Sequence, residues 1–284
     1  MKIGINLLLW TDKPAVAHKP LLDQIKKWGF DGVEFPVLAM EPADARALGR
    51  YCEDLEMHRS CLVALSAAEA DPSNPDPRLR QAALVQLKSC IEKTRDLGGD
   101  ILVGPFHQGL GRFTGSGPTK DEWRWSAEII RKAGEYAASM HVDLAIEPLN
   151  RFEMFLTNTM ESAGRFVKEV DLSNVGILAD THHSNIEEDR PHESWSREFK
   201  QIRHVHISEN NRGVPGRGHA CTQSIFQALR RGGYNKWLTI EAFGLKVPSL
   251  IQPLHLWRSM FLREEEVAVQ GLEHIRDSWD GARG

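Results

Sequence analysis

Apolar runs of four to seven residues recur along the chain, and amphipathic stretches separate them. Residues 3–9, 32–35, 60–65, 101–106, 142–146, 175–179, 204–207 and 237–240 predict eight short strands. Helical spacing fills the gaps at residues 20–28, 43–55, 78–97, 119–140, 162–170, 193–199 and 223–231. Gly29, Gly98-Gly99 and Gly232-Gly233 stop three of these helices. Thr119 with Glu122 three residues later fits a capping box at the start of another. Residues 71–77, with three prolines, and 109–118, with four glycines, carry no apolar period and predict loops. Residues 254–279 look helical, with a charged break at 263–266.

Strict alternation of apolar strands and helices favours a parallel sheet covered by helices. Eight repeats point to a closed (β/α)8 barrel with an added C-terminal helix rather than an open sheet. No GxGxxG follows the first strand, which counts against a dinucleotide fold. At 284 residues the chain suits one such barrel spanning 1–284, with a helical extension over about 250–284.

Composition changes this picture only by exclusion. The net charge of −4 and pI near 6.3 argue against nucleic acid or an anionic membrane as partner. No run approaches the roughly 18 apolar residues of a membrane span. Met1-Lys-Ile-Gly4 leads straight into a strand, without a signal-peptide pattern. Cys52, Cys61, Cys90 and Cys221 show no CxxC spacing. They are expected to be reduced thiols of a cytoplasmic protein.

Function in such barrels sits where strands end. The fifth run ends in Glu147, inside Glu147-Pro-Leu-Asn-Arg-Phe-Glu153, and the sixth in Asp180, inside Asp180-Thr-His-His-Ser-Asn-Ile-Glu-Glu188. The seventh carries His206, and the eighth ends in Glu241. Alone, each has a plain explanation: an acid at a strand end caps a helix, and a histidine in an apolar strand is a bonded core residue. Four on consecutive strands are harder to dismiss. Three carboxylates and one imidazole suit Mn²⁺ or Mg²⁺ better than a thiolate-loving or tetrahedral zinc site. Without a cation the carboxylates would repel one another. A metal holding a carbonyl and its neighbouring hydroxyl acidifies the adjoining C–H, and an enediolate can form. Glu147 and Glu241, from the first and last of the four strands, are the natural pair to remove a proton on one face and return one on the other.

These residues resemble the D-tagatose 3-epimerase and D-allulose (D-psicose) 3-epimerase family of the xylose isomerase-like superfamily. The 147–153 stretch is similar to that family's Glu-x-x-Asn-Arg-Phe-Glu, and 180–188 to its Asp-Thr-Phe-His-Met-Asn-Ile-Glu-Glu. His206-Ile-Ser-Glu-Asn-Asn-Arg212 is similar to His-x-Gly-Glu-x-x-Arg, Glu241-Ala-Phe243 to Glu-Pro-Phe, and Leu256-Trp-Arg258 to Val-Trp-Arg. The likeness runs from end to end and is dense from about Glu147 onward. It implies that Glu147, Asp180, His206 and Glu241 bind a metal, typically Mn²⁺, with Co²⁺ or Mg²⁺ as substitutes. It implies that Glu147 and Glu241 exchange the C3 proton of a free ketose. Glu153, His183 and Arg212 would hold hydroxyls around the carbonyl end of the sugar. Trp10, His107 and Phe243 are further expected substrate neighbours. The resemblance also implies a homodimer or homotetramer.

The chain departs from the pattern at His182 (for Phe), Ser208 (for Gly), Ala242 (for Pro) and in Asn6-Leu-Leu-Leu-Trp10, where many members carry aromatics. These departures are expected to face the distal end of the sugar. The competing enzyme readings are an aldose–ketose isomerase or a hydroxypyruvate isomerase. From another class comes a non-catalytic, metal-dependent sugar-binding protein. A phosphorylated sugar is disfavoured by the lack of a Gly-rich phosphate cradle, although Arg217 between Gly213 and Gly218 could serve one.

Overall fold

Each apolar run hydrogen-bonds in parallel to the next, and the last to the first. The result is a closed barrel of β1 (Lys2–Asn6), β2 (Gly32–Pro36), β3 (His58–Leu62), β4 (Ile101–Gly104), β5 (Asp143–Ile146), β6 (Val175–Asp180), β7 (Ile202–Ile207) and β8 (Trp237–Ile240). This computed structural model describes residues 1–282. Helices α1 (Lys19–Trp28), α2 (Pro42–Asp54), α3 (Pro77–Asp96), α4 (Lys120–Ser139), α5 (Met160–Val170), α6 (Thr181–Glu187), α7 (Pro191–Arg197) and α8 (Gln223–Arg231) fill the crossovers. After β8 come α9 (Pro248–Ile251) and α10 (Glu264–Gly281). Among the described residues no helix is long and apolar enough to cross a membrane.

Two cores hold the barrel. Leu62, Ile101, Val103, Ala145, Leu178 and Trp237 form one buried cluster. A larger one, including Ile5, Phe35, Leu87, Ile130, Phe166 and Leu272, joins strands to helices. The capping box is present: Thr119 Oγ1 accepts from Glu122 N at 3.2 Å, and Glu122 Oε2 accepts from Thr119 N at 2.8 Å. Thr119→Ala is expected to cost about 1 kcal/mol, read as a lower urea midpoint with an unchanged slope.

Three segments differ from the sequence-based expectation. The first strand stops at Asn6, not at residue 9, because the Asn6 carboxamide accepts from Leu8 N at 2.8 Å and turns Leu7–Leu9 into a 3₁₀ turn. A helix, α6, begins directly after β6 where none is predicted. Asp180 caps it by accepting from His183 N at 3.0 Å. In the C-terminal extension residues 254–263 are not helical, and the expected charged break is instead the start of α10. Glu264, Glu265 and Glu266 occupy its first turn, where the helix dipole favours negative charge.

Candidate active site

The barrel register sets four chemically capable side chains side by side. Asp180, the last residue of β6, pairs with His206 of β7, which in turn pairs with Thr239 of β8. Glu147 and Glu241 are the first residues beyond β5 and β8, held by backbone bonds to Gly104 O (3.1 Å) and Ile207 O (3.2 Å). All four are buried, and one ligand atom from each lies within 4.8 Å of the others. His206 Nδ1 is 3.4 Å from Glu241 Oε1, 3.8 Å from Asp180 Oδ2 and 3.9 Å from Glu147 Oε1. Glu147 Oε1, Asp180 Oδ2 and His206 Nδ1 are fully buried yet have no hydrogen-bond partner. Orphaned acceptors at this depth are costly unless a cation completes them. The donor set therefore fits a divalent metal of the oxygen-preferring kind.

Behind His206 stands a residue that sequence reasoning passed over. Glu34, on β2, reaches across the barrel to His206 Nε2 at 2.8 Å. Its carboxylate also accepts from Asn6 Nδ2 and Ser60 Oγ, each at 2.9 Å. His204 Nε2 lies 2.9 Å away, without hydrogen-bond alignment. A carboxylate can only accept here, so His206 carries a proton on Nε2 and Nδ1 is the atom left for a metal. The available signal was a charged residue inside an apolar run, Gly-Val-Glu34-Phe-Pro.

Electrostatics follow from this packing. Burial would raise the Glu34 carboxyl, but the His206 and His204 charges outweigh it and hold it well below the usual range. Burial would lower His206, yet Glu34 and Glu241 raise it well above the ordinary imidazole value. Burial, with Glu241 beside it, raises Glu147 well above the ordinary carboxyl value. Burial pushes Asp180 up to about 6, against the pull of Arg212. Glu241 is also buried, but His206 and Arg212 overcome that effect and keep it low.

A second set of side chains forms the wall. Arg212 Nη1 donates to Glu241 Oε2 at 2.8 Å and to Ser208 Oγ at 2.9 Å, and its guanidinium lies over the Phe243 ring at 5.1 Å. Asn150 N donates to His183 Nδ1 at 3.0 Å, so the neutral ring carries its proton on Nε2. Arg212 Nη2 sits 2.8 Å from that same Nε2. The two nitrogens lie side by side, and an acceptor oxygen in front of both could take a hydrogen bond from each. Glu153 accepts from Asn150 Nδ2 at 2.7 Å. Arg151 pairs with Glu187 at 3.0 Å. His182 packs edge-on against His183, 5.1 Å between centroids, and lies in one cluster with His183 and Glu153.

A family model for the xylose isomerase-like TIM barrel matches residues 22–278. The chain belongs to the xylose isomerase-like TIM barrel family. Within it, the chain is 30% identical over 263 residues to the L-ribulose 3-epimerase of Mesorhizobium japonicum, covering 92% of this chain and 88% of that one. A solved L-ribulose 3-epimerase structure superposes with a TM-score of 0.94 at 30% identity, over 99% of this chain and 95% of that one. The D-allulose 3-epimerase of Methylomonas sp., solved in complex with D-allulose, gives 0.91 at 25% identity, over 98% and 97%. The resemblance drawn from the strand-end motifs is thus borne out, and the relatives are isomerase-class enzymes.

Two other residues expected near a substrate have well-defined protein contacts. Trp10 stacks on Trp28 with 6.3 Å between centroids. His107 is buried, bonded through Nε2 to Thr157 Oγ1 at 2.6 Å and packed on Phe166. Burial holds its pKa down to about 3, so it is a neutral core ring. Neither joins the clustered carboxylates and imidazoles.

The raised pKa values of the metal-free site have a consequence for cation binding. Protons on Asp180 and His206 must leave when a metal arrives. Affinity is therefore expected to rise with pH through and above about 6, the Asp180 value, and to fall as the pH drops below it. The slope should be ~10-fold per pH unit for each proton released. Calorimetric titration of the metal-free protein with Mn²⁺ in buffers of different ionisation enthalpy counts those protons.

Proposed function

We propose that the protein is a divalent-metal-dependent ketose 3-epimerase acting on a free ketohexose or ketopentose, with Mn²⁺ as the metal. The observation that carries this reading is the pair Glu147 and Glu241. They come from the ends of β5 and β8, and both direct a carboxylate oxygen to the space around His206 Nδ1. Glu147, Asp180, His206 and Glu241 would hold the metal, which when bound supplies positive charge beside a carbonyl and so acidifies the neighbouring C–H.

The chain's own groups do the rest. Arg212 and His183 direct N–H donors to one point, where a ketose oxygen fits. Glu241, kept ionised by His206 and Arg212, takes the C3 proton on one face. Glu147, whose burial favours the protonated form, gives one back on the other face. The carbon inverts, and each turnover leaves the two carboxyls with exchanged protonation. Burial of all four side chains keeps bulk water from competing for the carbanionic carbon.

Ketoses are the common substrate class in the relatives' names: L-ribulose, D-psicose and, in the Methylomonas complex, D-allulose. A free sugar is favoured over a phosphorylated one because Arg217 is committed elsewhere. It donates to Glu266 Oε2 at 2.9 Å and to Gln270 Oε1 at 2.8 Å, both on α10. The test is product identity. Mn²⁺-loaded protein is incubated with D-fructose, D-tagatose and L-ribulose, and the products are resolved by NMR. The C3-epimeric ketose is expected. An aldose would move the reading to an isomerase, and sugar binding without turnover would move it to a non-catalytic sugar-binding protein.

A further inference from the structure

His182 is a departure from the family pattern that lies beside the proposed chemistry, and its surroundings define what it can do. It sits on the first turn of α6, buried, with Nδ1 3.0 Å from the backbone carbonyl of Glu209. A carbonyl only accepts, so Nδ1 carries the ring's one proton. Nε2 is then a bare lone pair. It is not among the fully buried side-chain atoms that lack a partner, and no protein donor among the described residues bonds to it.

One nitrogen of His182 and one carboxylate oxygen of Glu153 lie within 4.8 Å of each other and of a His183 nitrogen. Three such groups could suggest a second cation site. Arg212 argues against it, because its guanidinium lies 2.8 Å from His183 Nε2 and Asn150 N occupies Nδ1. What remains is a wall divided by polarity. His183 and Arg212 present donors, and beside them Glu153 and His182 present acceptors. A phenylalanine in place of His182 would remove one of those acceptors.

We propose that His182 and Glu153 form an acceptor pair that selects ketoses carrying a hydroxyl at C1, the carbon beside the carbonyl that His183 and Arg212 hold. This rests on the ketose 3-epimerase reading and adds a specificity-determining residue to it. A 1-deoxyketose would leave both acceptors unpaired in a dry pocket. A site built around a hydroxyl rejects the analogue lacking it far more strongly than an apolar wall does.

The test compares kcat/KM for D-fructose and 1-deoxy-D-fructose, with 6-deoxy-D-fructose as control for the distal end. It uses the Mn²⁺-loaded wild type, His182→Phe, His182→Gln and His182→Asn, following C3 deuterium exchange. The wild type is expected to favour D-fructose over the 1-deoxy sugar by about 100-fold or more. His182→Phe should shrink that ratio by about tenfold, mainly through KM, with the 6-deoxy ratio unmoved. Gln can place an acceptor near the Nε2 position and should recover part of the ratio. Asn reaches only the Glu209 carbonyl and should not. Should His182→Phe fail to fold, the contrast between Gln and Asn decides the matter. An unchanged 1-deoxy ratio in Phe or Asn, with C3 exchange intact, overturns the role of His182 alone. No C3 exchange by the wild type on D-fructose, D-tagatose or L-ribulose overturns the epimerase reading and this inference with it.

Discussion

Glu241→Gln is expected to lose C3 proton exchange by about 10³-fold while the barrel stays folded. The substitution keeps the size of the side chain and an oxygen that can accept from Arg212, now 2.8 Å from Glu241 Oε2. It removes the one property that the mechanism needs, the ability to take and hold a proton. The carboxylate also faces His206 Nδ1 at 3.4 Å, so some metal affinity should go with it, roughly tenfold. The two effects separate experimentally. Calorimetry gives the metal affinity, and exchange measured at saturating Mn²⁺ gives the chemical step. Full exchange in Glu241→Gln at saturating metal would show that Glu241 is a ligand and no more. Glu147→Gln should be equally damaging, since inversion needs both faces.

The second large effect is expected far from any sugar. Glu34→Gln should weaken Mn²⁺ binding by about 10- to 100-fold. Glu34 is fully buried and receives hydrogen bonds from His206, Asn6 and Ser60 at once. Its negative charge raises the basicity of the His206 ring, and its position fixes which nitrogen faces the carboxylates. Glutamine can still fill the space and accept from Nε2, so the metal-free protein should keep its thermal midpoint within a few degrees. The loss should therefore appear as weaker metal affinity, with exchange largely restored by excess Mn²⁺. A variant with wild-type metal affinity would mean that Glu34 only fills the barrel. A variant whose metal-free form melts much earlier would point to the same plain packing role.

The sequence made the barrel and its four clustered side chains legible for a physical reason. β5, β6 and β8 end at or just before a carboxylate, β7 carries His206 one residue from its end, and a barrel turns strand ends into one rim. Glu147, Asp180, His206 and Glu241 could thus be read from position alone. Glu34 could not, because its partner His206 lies 172 residues away and the contact crosses the barrel interior. The helix after Asp180 was also hidden. Thr181-His-His-Ser-Asn has little helix propensity, and it is Asp180 that caps the turn, a carboxylate also aimed at the cluster. Asn6 shows the reverse case. An unbroken apolar run continues past it, but the carboxamide turns the chain out of the sheet and donates to Glu34. Trp10 and His107 were picked out by place in the chain. Their partners, Trp28 and Thr157, come from other elements that no local pattern could reveal.

The most direct test of the account is deuterium uptake in D₂O, followed by NMR, with metal-free and Mn²⁺-loaded protein on the same free ketoses. Metal-dependent deuterium at C3 is expected, appearing together with the C3 epimer and absent from the metal-free protein. Deuterium at C1 with an aldose product, or tight Mn²⁺ binding with no exchange at any carbon, would contradict it.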